Sequence, residues 1–140
     1  DRILLSKATV TLFEDVQEFY VAETAGQVVG CGALHVLWED LGEVRTLAVD
    51  KHHRGKGIGD LLLRRLLQQA RHVGLRRVFC LTFEVAFFKR HGFSEIEGAP
   101  VPHDVFEQLL QSYDEGVAEF LDLERVKPNT LGNSRMLLVF

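Results

Sequence analysis

Apolar and polar residues alternate over 18–24, EFYVAET, and again over 27–38, QVVGCGALHVLW, with Ala25-Gly26 between them. A period of two puts every second side chain on one face of a pleat, so both stretches are predicted strands and the dipeptide a hairpin-like join. A short turn at 39–42 leads into a third strand, GEVRTLAVD, over 42–50. Three successive antiparallel strands are the economical reading. After Asp50 the period lengthens. Ile58, Leu62, Leu66 and Ala70 form one stripe with Leu63 and Leu67 beside it, the spacing of an amphipathic helix, and Gly74 offers the left-handed residue that ends one.

RRVFCLT (76–82) is a β-branched and aromatic run and predicts a strand, EVAFFKRHGF (84–93) a short helix ending at Gly92, and FSEIE (93–97) a further strand. A strand-helix-strand crossover requires at least one parallel pair. The expected fold class is therefore α/β (α+β), with a mixed, mostly antiparallel central sheet flanked by helices. Beyond Pro100 and Pro102, the residues Val105, Phe106, Leu109, Leu110 and Tyr113 keep helical spacing. VAEFLDLERV fits helix or strand, KPNTLGNS is turn-forming, and RMLLVF reads as a final buried strand.

Composition adds bounds. A chain of 140 residues, 46% of them apolar, suffices for one buried core, so 1–140 is expected to be a single domain. Its apolar runs fall well short of the roughly 20 residues that span a bilayer, which predicts a soluble protein with no membrane partner. No charged-then-apolar leader is present within these residues, and Cys31 and Cys80 sit in apolar, strand-like surroundings without CxxC spacing. Both read as buried thiols of a cytoplasmic protein. The six His include no HxxxH pair, and no metal site is expected.

Charge is unevenly placed. Lys51 to His91 hold ten Lys or Arg against Asp60 and Glu84, a local balance of +8, while the whole chain sums to −4 and the remainder therefore to −12. Such an island focuses field on an anion. Exposed aromatics do not interleave with the cations, and the acidic flanks repel a long polyanion, so a small polyanion is expected rather than nucleic acid.

The island contains HHRGKGIGD, residues 52–60, with Gly55, Gly57 and Gly59 among Arg54 and Lys56, leading straight into the predicted helix. A loop that enters a helix presents the unpaired N–H groups of the first turn and the positive end of the dipole. Glycines allow close backbone approach to a phosphate, and the cations add charge. Simple turn glycines with solvated cations are the bland alternative. The spacing fits neither GxxxxGK[ST] nor GxGxxG.

Arg54, Gly57 and Gly59 match the R/Q-x-x-G-x-G/A loop of the GNAT acetyltransferases, and the chain resembles that family further in LAVD before the loop and in FFKRHGF. The match covers Glu18 to Glu97. VVGCGALHVLWEDLGEVRTLAVD, LTFEVAFFKRHGF and KPNTLGNSRMLL also look like short-form bacterial N-acetylglutamate synthases of the arginine pathway. Two features depart from the pattern: no amino-acid-kinase domain accompanies these residues, so feedback control through one is not expected, and the family's first strand is not recognisable before the first helices.

The resemblance implies a GNAT fold and transfer of the acetyl group of acetyl-CoA to the α-amine of glutamate or glutamine in a ternary complex, without metal or covalent enzyme intermediate. It implies acetyl-CoA binding by Leu47, Ala48 and Val49 through their backbones, by Arg54, Gly55, Lys56, Gly57, Ile58 and Gly59 around the diphosphate, and by Phe88 through packing. Leu47 would polarise the acetyl carbonyl. Glu43 is the candidate base, with a structural ion pair to Arg45, on the same strand face, as its rival. Glu84 reads first as a helix-terminal carboxylate. Phe88 stands where many relatives carry an acidic Tyr, so thiolate protonation would fall to water, Tyr113 or Thr82. An amino-acid acceptor calls for cations outside the loop, and Arg45, Lys127 and Arg135 are the candidates, while Ser134 and Arg135 together resemble the subfamily's Ser-plus-cation pair near the C-terminus. A homodimer is an open possibility. Another small amine, a protein N-terminus, and a non-catalytic acyl-CoA sensor remain as alternatives.

Overall fold

The structure is a computed structural model that describes residues 8–126 and 132–140. It contains helices α1 (Thr9–Glu14), α2 (Ile58–His72), α3 (Val85–Arg90), α4 (His103–Leu109) and α5 (Glu115–Phe120). The strands are β1 (Phe19–Thr24), β2 (Gln27–Trp38), β3 (Leu41–Val49), β4 (Arg77–Thr82), β5 (Ser94–Glu95) and β6 (Ser134–Val139). They form one six-stranded sheet in the order β1-β2-β3-β4-β6-β5. Its β1–β2, β4–β6 and β5–β6 pairs are antiparallel, and β3–β4 is the parallel pair that the crossover through α2 demands. No helix among the described residues is long and apolar enough to cross a membrane.

Two compact units divide the chain: the described residues up to His35 with Val44–Leu75, and Val36–Glu43 with Arg76–Phe140. In the first, α2 buries Leu62, Leu63, Leu66 and Ala70. Its approach to β2 is close enough that a Cβ at Gly32 would lie 2.8 Å from Leu66 Cδ1 and 3.0 Å from Leu47 Cδ1, so any larger residue there would have to push the ends of those two side chains aside. Arg65 lies with its guanidinium 4.5 Å from the Tyr20 ring centroid, adding a cation–π contact at the surface of the helix. The helix ends at Gly74, φ +91, with Leu75 N–H donating to the Ala70 carbonyl at 2.9 Å.

The second unit packs Leu37, Leu41, Phe79, Leu109, Val117, Phe120, Leu121 and Leu137 into one cluster. Phe79 and Phe120 meet edge to face, centroids 5.4 Å apart at 84°. Phe88 and Phe93 form a second edge-to-face pair at 5.1 Å.

Several boundaries differ from the sequence expectation. Helix α4 stops at Leu109 instead of continuing through Tyr113, which is 98% exposed, because residues 110–114 turn to let Asp114 cap α5. The carboxylate of Asp114 accepts from Val117 N–H at 3.2 Å. The ambiguous VAEFLDLERV resolves as α5 and the 3-10 turn Glu124–Val126. β5 keeps only two of the five expected residues.

Candidate functional site

The glycine loop begins where β3 ends. Asp50 accepts from His52 N–H at 3.2 Å and lies 2.8 Å from His53 Nδ1, fixing a 3-10 turn over Lys51–His53. The hydrogen bond with His53 is the main reason the Asp50 carboxyl is held below its usual range. Gly55 and Gly57 follow with φ +78 and +80, and neither has an atom within 4 Å of where a Cβ would stand. Gly57 is the N-cap of α2 and provides no side-chain cap for the first turn. Its left-handed conformation turns the chain into the helix at a position where an L side chain is strained. Arg54 and Lys56 are exposed on this turn. The arrangement is an uncapped helix N-terminus, bare backbone and two cations, which suits an anion the size of a diphosphate.

Upstream, Ala48, Val49 and Asp50 share a groove of about 310 Å³ with Val28, Val29, Gly30 and Cys31. Thr46, just before Leu47, is left-handed at φ 58, and its carbonyl accepts from the half-buried Cys31 thiol at 3.4 Å. Burial pushes the Cys31 pKa up, which keeps it a donor. A non-glycine residue held in that region within a strand is an over-determined strain. Sequence reasoning missed it because Thr46 carries no turn signal.

In the second unit, Glu43 is only 4% exposed and is paired with Phe79 in the β3–β4 ladder. Burial first, and the nearby Glu43 charge second, push the Cys80 thiol well above the usual range. The Thr82 hydroxyl accepts from Glu84 N–H at 2.8 Å, and Glu84 is the N-cap of α3 without a side-chain cap bond. Phe88 is buried. Tyr113 belongs to a separate concavity of about 710 Å³ lined also by Leu110, Gln111, Ser112, Glu115 and Arg125.

The acceptor candidates divide. Arg45 is partly buried in β3, and Lys127 lies outside the described residues. Ser134 stands opposite Thr82 and Arg135 opposite Leu81 in the β4–β6 ladder. Adjacent strand residues point to opposite faces, so Ser134 and Arg135 do not form one cluster. Arg135 departs further from an open ligand-seeking cation: its Nε donates to the Glu119 carbonyl at 3.0 Å, and its Nη2 to the Gly98 carbonyl at 2.8 Å and to that of Phe120.

Residues 4–93 match the model of the acetyltransferase (GNAT) family. The chain is 65% identical over 141 residues to the amino-acid acetyltransferase of Mycobacterium tuberculosis, covering 99% of this chain and 81% of that protein. A crystal structure of a Mycobacterium tuberculosis protein in complex with CoA superposes with a TM-score of 0.95 at 65% identity, over 99% of this chain and 85% of the other. The N-acetylglutamate synthase of Neisseria gonorrhoeae, solved with coenzyme A and N-acetyl-glutamate, shares the fold at a TM-score of 0.73 and 22% identity, over 97% of this chain and 28% of that one.

Proposed function

The chain belongs to the acetyltransferase (GNAT) family, and from that premise we propose that it moves the acetyl group of acetyl-CoA to the α-amine of L-glutamate or L-glutamine, the first step of arginine synthesis. The relative's activity as an amino-acid acetyltransferase, at 65% identity, supports this acceptor class. One observation carries the donor side: the uncapped N-terminus of α2, entered through Gly55 and Gly57 in left-handed conformations and flanked by Arg54 and Lys56. Such a turn fits a diphosphate, because first-turn amides and the helix dipole meet it without a side chain in between.

Bound acetyl-CoA supplies the activated acyl group. The chain's residues have then to hold it, orient the acceptor and take a proton. Backbone from Gly55 to Gly59 holds the diphosphate, and Leu47, Ala48 and Val49 align the pantetheine arm, with Leu47 N–H as the donor to the acetyl carbonyl. The groove of about 310 Å³ that reaches Asp50 through Ala48 and Val49 supports that path, since it joins the strand to the loop. Glu43 takes the proton from the acceptor ammonium, directly or through water. Phe88, which has no proton to give, packs against Phe93 and serves as a wall. Ser134 and Arg45 contribute acceptor contacts. Positioning therefore dominates the rate, and no enzyme nucleophile takes part; buried Cys80 stays a thiol.

Free-thiol release from acetyl-CoA, measured side by side with glutamate, glutamine, ornithine and a peptide amine, tests donor and acceptor together. Glutamate or glutamine should give the fastest release. A peptide amine winning the comparison would reject the acceptor, and CoA binding without release from any amine would point to a sensor.

A further inference from the structure

Arg135 is a cation turned inward, with three main-chain acceptors. Its side chain is only 12% exposed and its guanidinium carbon lies 5.7 Å from the Phe79 ring centroid. Every N–H on Nε and Nη2 already has a carbonyl: Glu119, Gly98 and Phe120. These acceptors are 16, 37 and 15 residues away in sequence, so one side chain ties β6 to the segment after β5 and to the end of α5. Its main chain joins the same clasp, with Ile96 N–H donating to the Arg135 carbonyl at 2.9 Å.

The end of α5 needs such a group. Its last carbonyls carry the negative end of the helix dipole, and the turn beyond it is closed by Asp122 N–H to the Glu119 carbonyl and Leu123 N–H to the Ala118 carbonyl, both at 3.1 Å. The left-handed residue of that closure is Asp122, φ 60, where glycine is usual. Its carboxylate lies 3.9 Å from Arg135 Nε, so the guanidinium faces carbonyl dipoles and a carboxylate together. Burial lowers the Arg135 pKa, with Asp122 opposing the shift, and guanidinium remains charged throughout the working range.

We propose that Arg135 is a positioning residue for acceptor binding, not a ligand of either acceptor carboxylate. It holds the end of α5 and the residues after β5 on the sheet face that carries Phe79 of β4, and so fixes the start of β6, where Ser134 stands opposite Thr82. This rests on the amino-acid acceptor reading above. A guanidinium whose Nε and Nη2 protons are all engaged in a three-segment clasp cannot offer its usual fork to a carboxylate without releasing one of those carbonyls.

The test pairs Arg135→Gln with Arg135→Lys and uses three acceptors: glutamate, glutamine and glutamate α-amide. Either carboxylate is an amide in one of them. A positioning role predicts that Arg135→Gln raises the KM of all three by about tenfold alike, leaves the acetyl-CoA KM within about twofold, and speeds hydrogen exchange at the Asp122 and Leu123 amides. Arg135→Lys keeps the charge on one donor nitrogen, which cannot span all three carbonyls, and recovers part of each effect. A penalty that vanishes for one of the amide acceptors, with exchange unchanged, identifies a carboxylate ligand and overturns the proposal. Should the wild-type chain acetylate none of the three, the acceptor reading fails and takes the positioning role with it, while faster exchange would still establish the clasp itself. If Arg135→Gln does not fold, Arg135→Lys carries the same comparison.

Discussion

The loop from Asp50 to Gly59 and the clasp around Arg135 are assembled from the same parts, guanidinium and backbone polar groups, used in opposite senses. In the loop, glycine backbone and the exposed Arg54 and Lys56 face outward at a helix N-terminus without a side-chain cap. In the clasp, the cation closes on carbonyls at the end of a helix and is largely withdrawn from water. One helix end is left chemically open and the other is sealed. The contrast suggests a division of labour in which the open end takes a ligand and the sealed end keeps its own unit in shape.

The largest effect that would sharpen this comparison belongs to the sealed unit. Phe120→Ala removes a fully buried ring from contact with Phe79, and chemical denaturation should show a loss of about 3–5 kcal/mol. Glu43→Gln should lower kcat about 100-fold with the acetyl-CoA KM little changed, as steady-state kinetics would register for loss of a base. At the open end, Gly57→Val meets no steric obstacle, since nothing lies within 4 Å of the new Cβ, yet it strains the left-handed turn. Calorimetry should report acetyl-CoA binding weaker by about 10- to 100-fold. Unchanged affinity in that variant would erase the distinction between the two helix ends. Arg54→Gln should weaken acetyl-CoA binding by about tenfold at low salt and by less at high salt, because its charge acts through solvent.

The smallest effect concerns pH. Cys80 keeps its proton in the folded chain to well above 9.0, the pKa of an unperturbed thiol, so the unfolded chain loses that proton first. Bound protons then favour the native state less as pH climbs, and stability present below about pH 9 drains away above it. Thermal melts of Cys80→Val across pH 8–10 should lack this alkaline slope.

Much of the open end was legible in the chain itself. The sequence pattern marked β2 over its full 27–38, although its middle, from Val29 to Leu34, is covered on both faces, and the change of period after Asp50 marked α2, which buries one face only. The glycine loop is a local feature, and its spacing carries its geometry. The sealed unit was harder to read. Helix α5 buries all of Gly116 to Phe120, so no polar stripe betrays its period. β5 is short and its place at the sheet edge is set by β6, far along the chain. Arg135 looked like an available cation because its three acceptors are distant in sequence and are main-chain atoms, which leave no trace in side-chain spacing. Thr46 is similar: its φ of 58 is imposed by surrounding structure, and nothing in its residue type predicts it.

The insertion of β6 between β4 and β5 bears on how the chain emerges during translation. Ribosomal synthesis releases β5 before β6, with 38 residues between Glu95 and Ser134, a delay of about 2–8 s at ordinary elongation speeds. Throughout that interval the nascent β4 has an open hydrogen-bonding edge, a template for stray strands. Chaperone capture during that window would protect the half-built sheet, and a stall before Ser134 would expose it to aggregation.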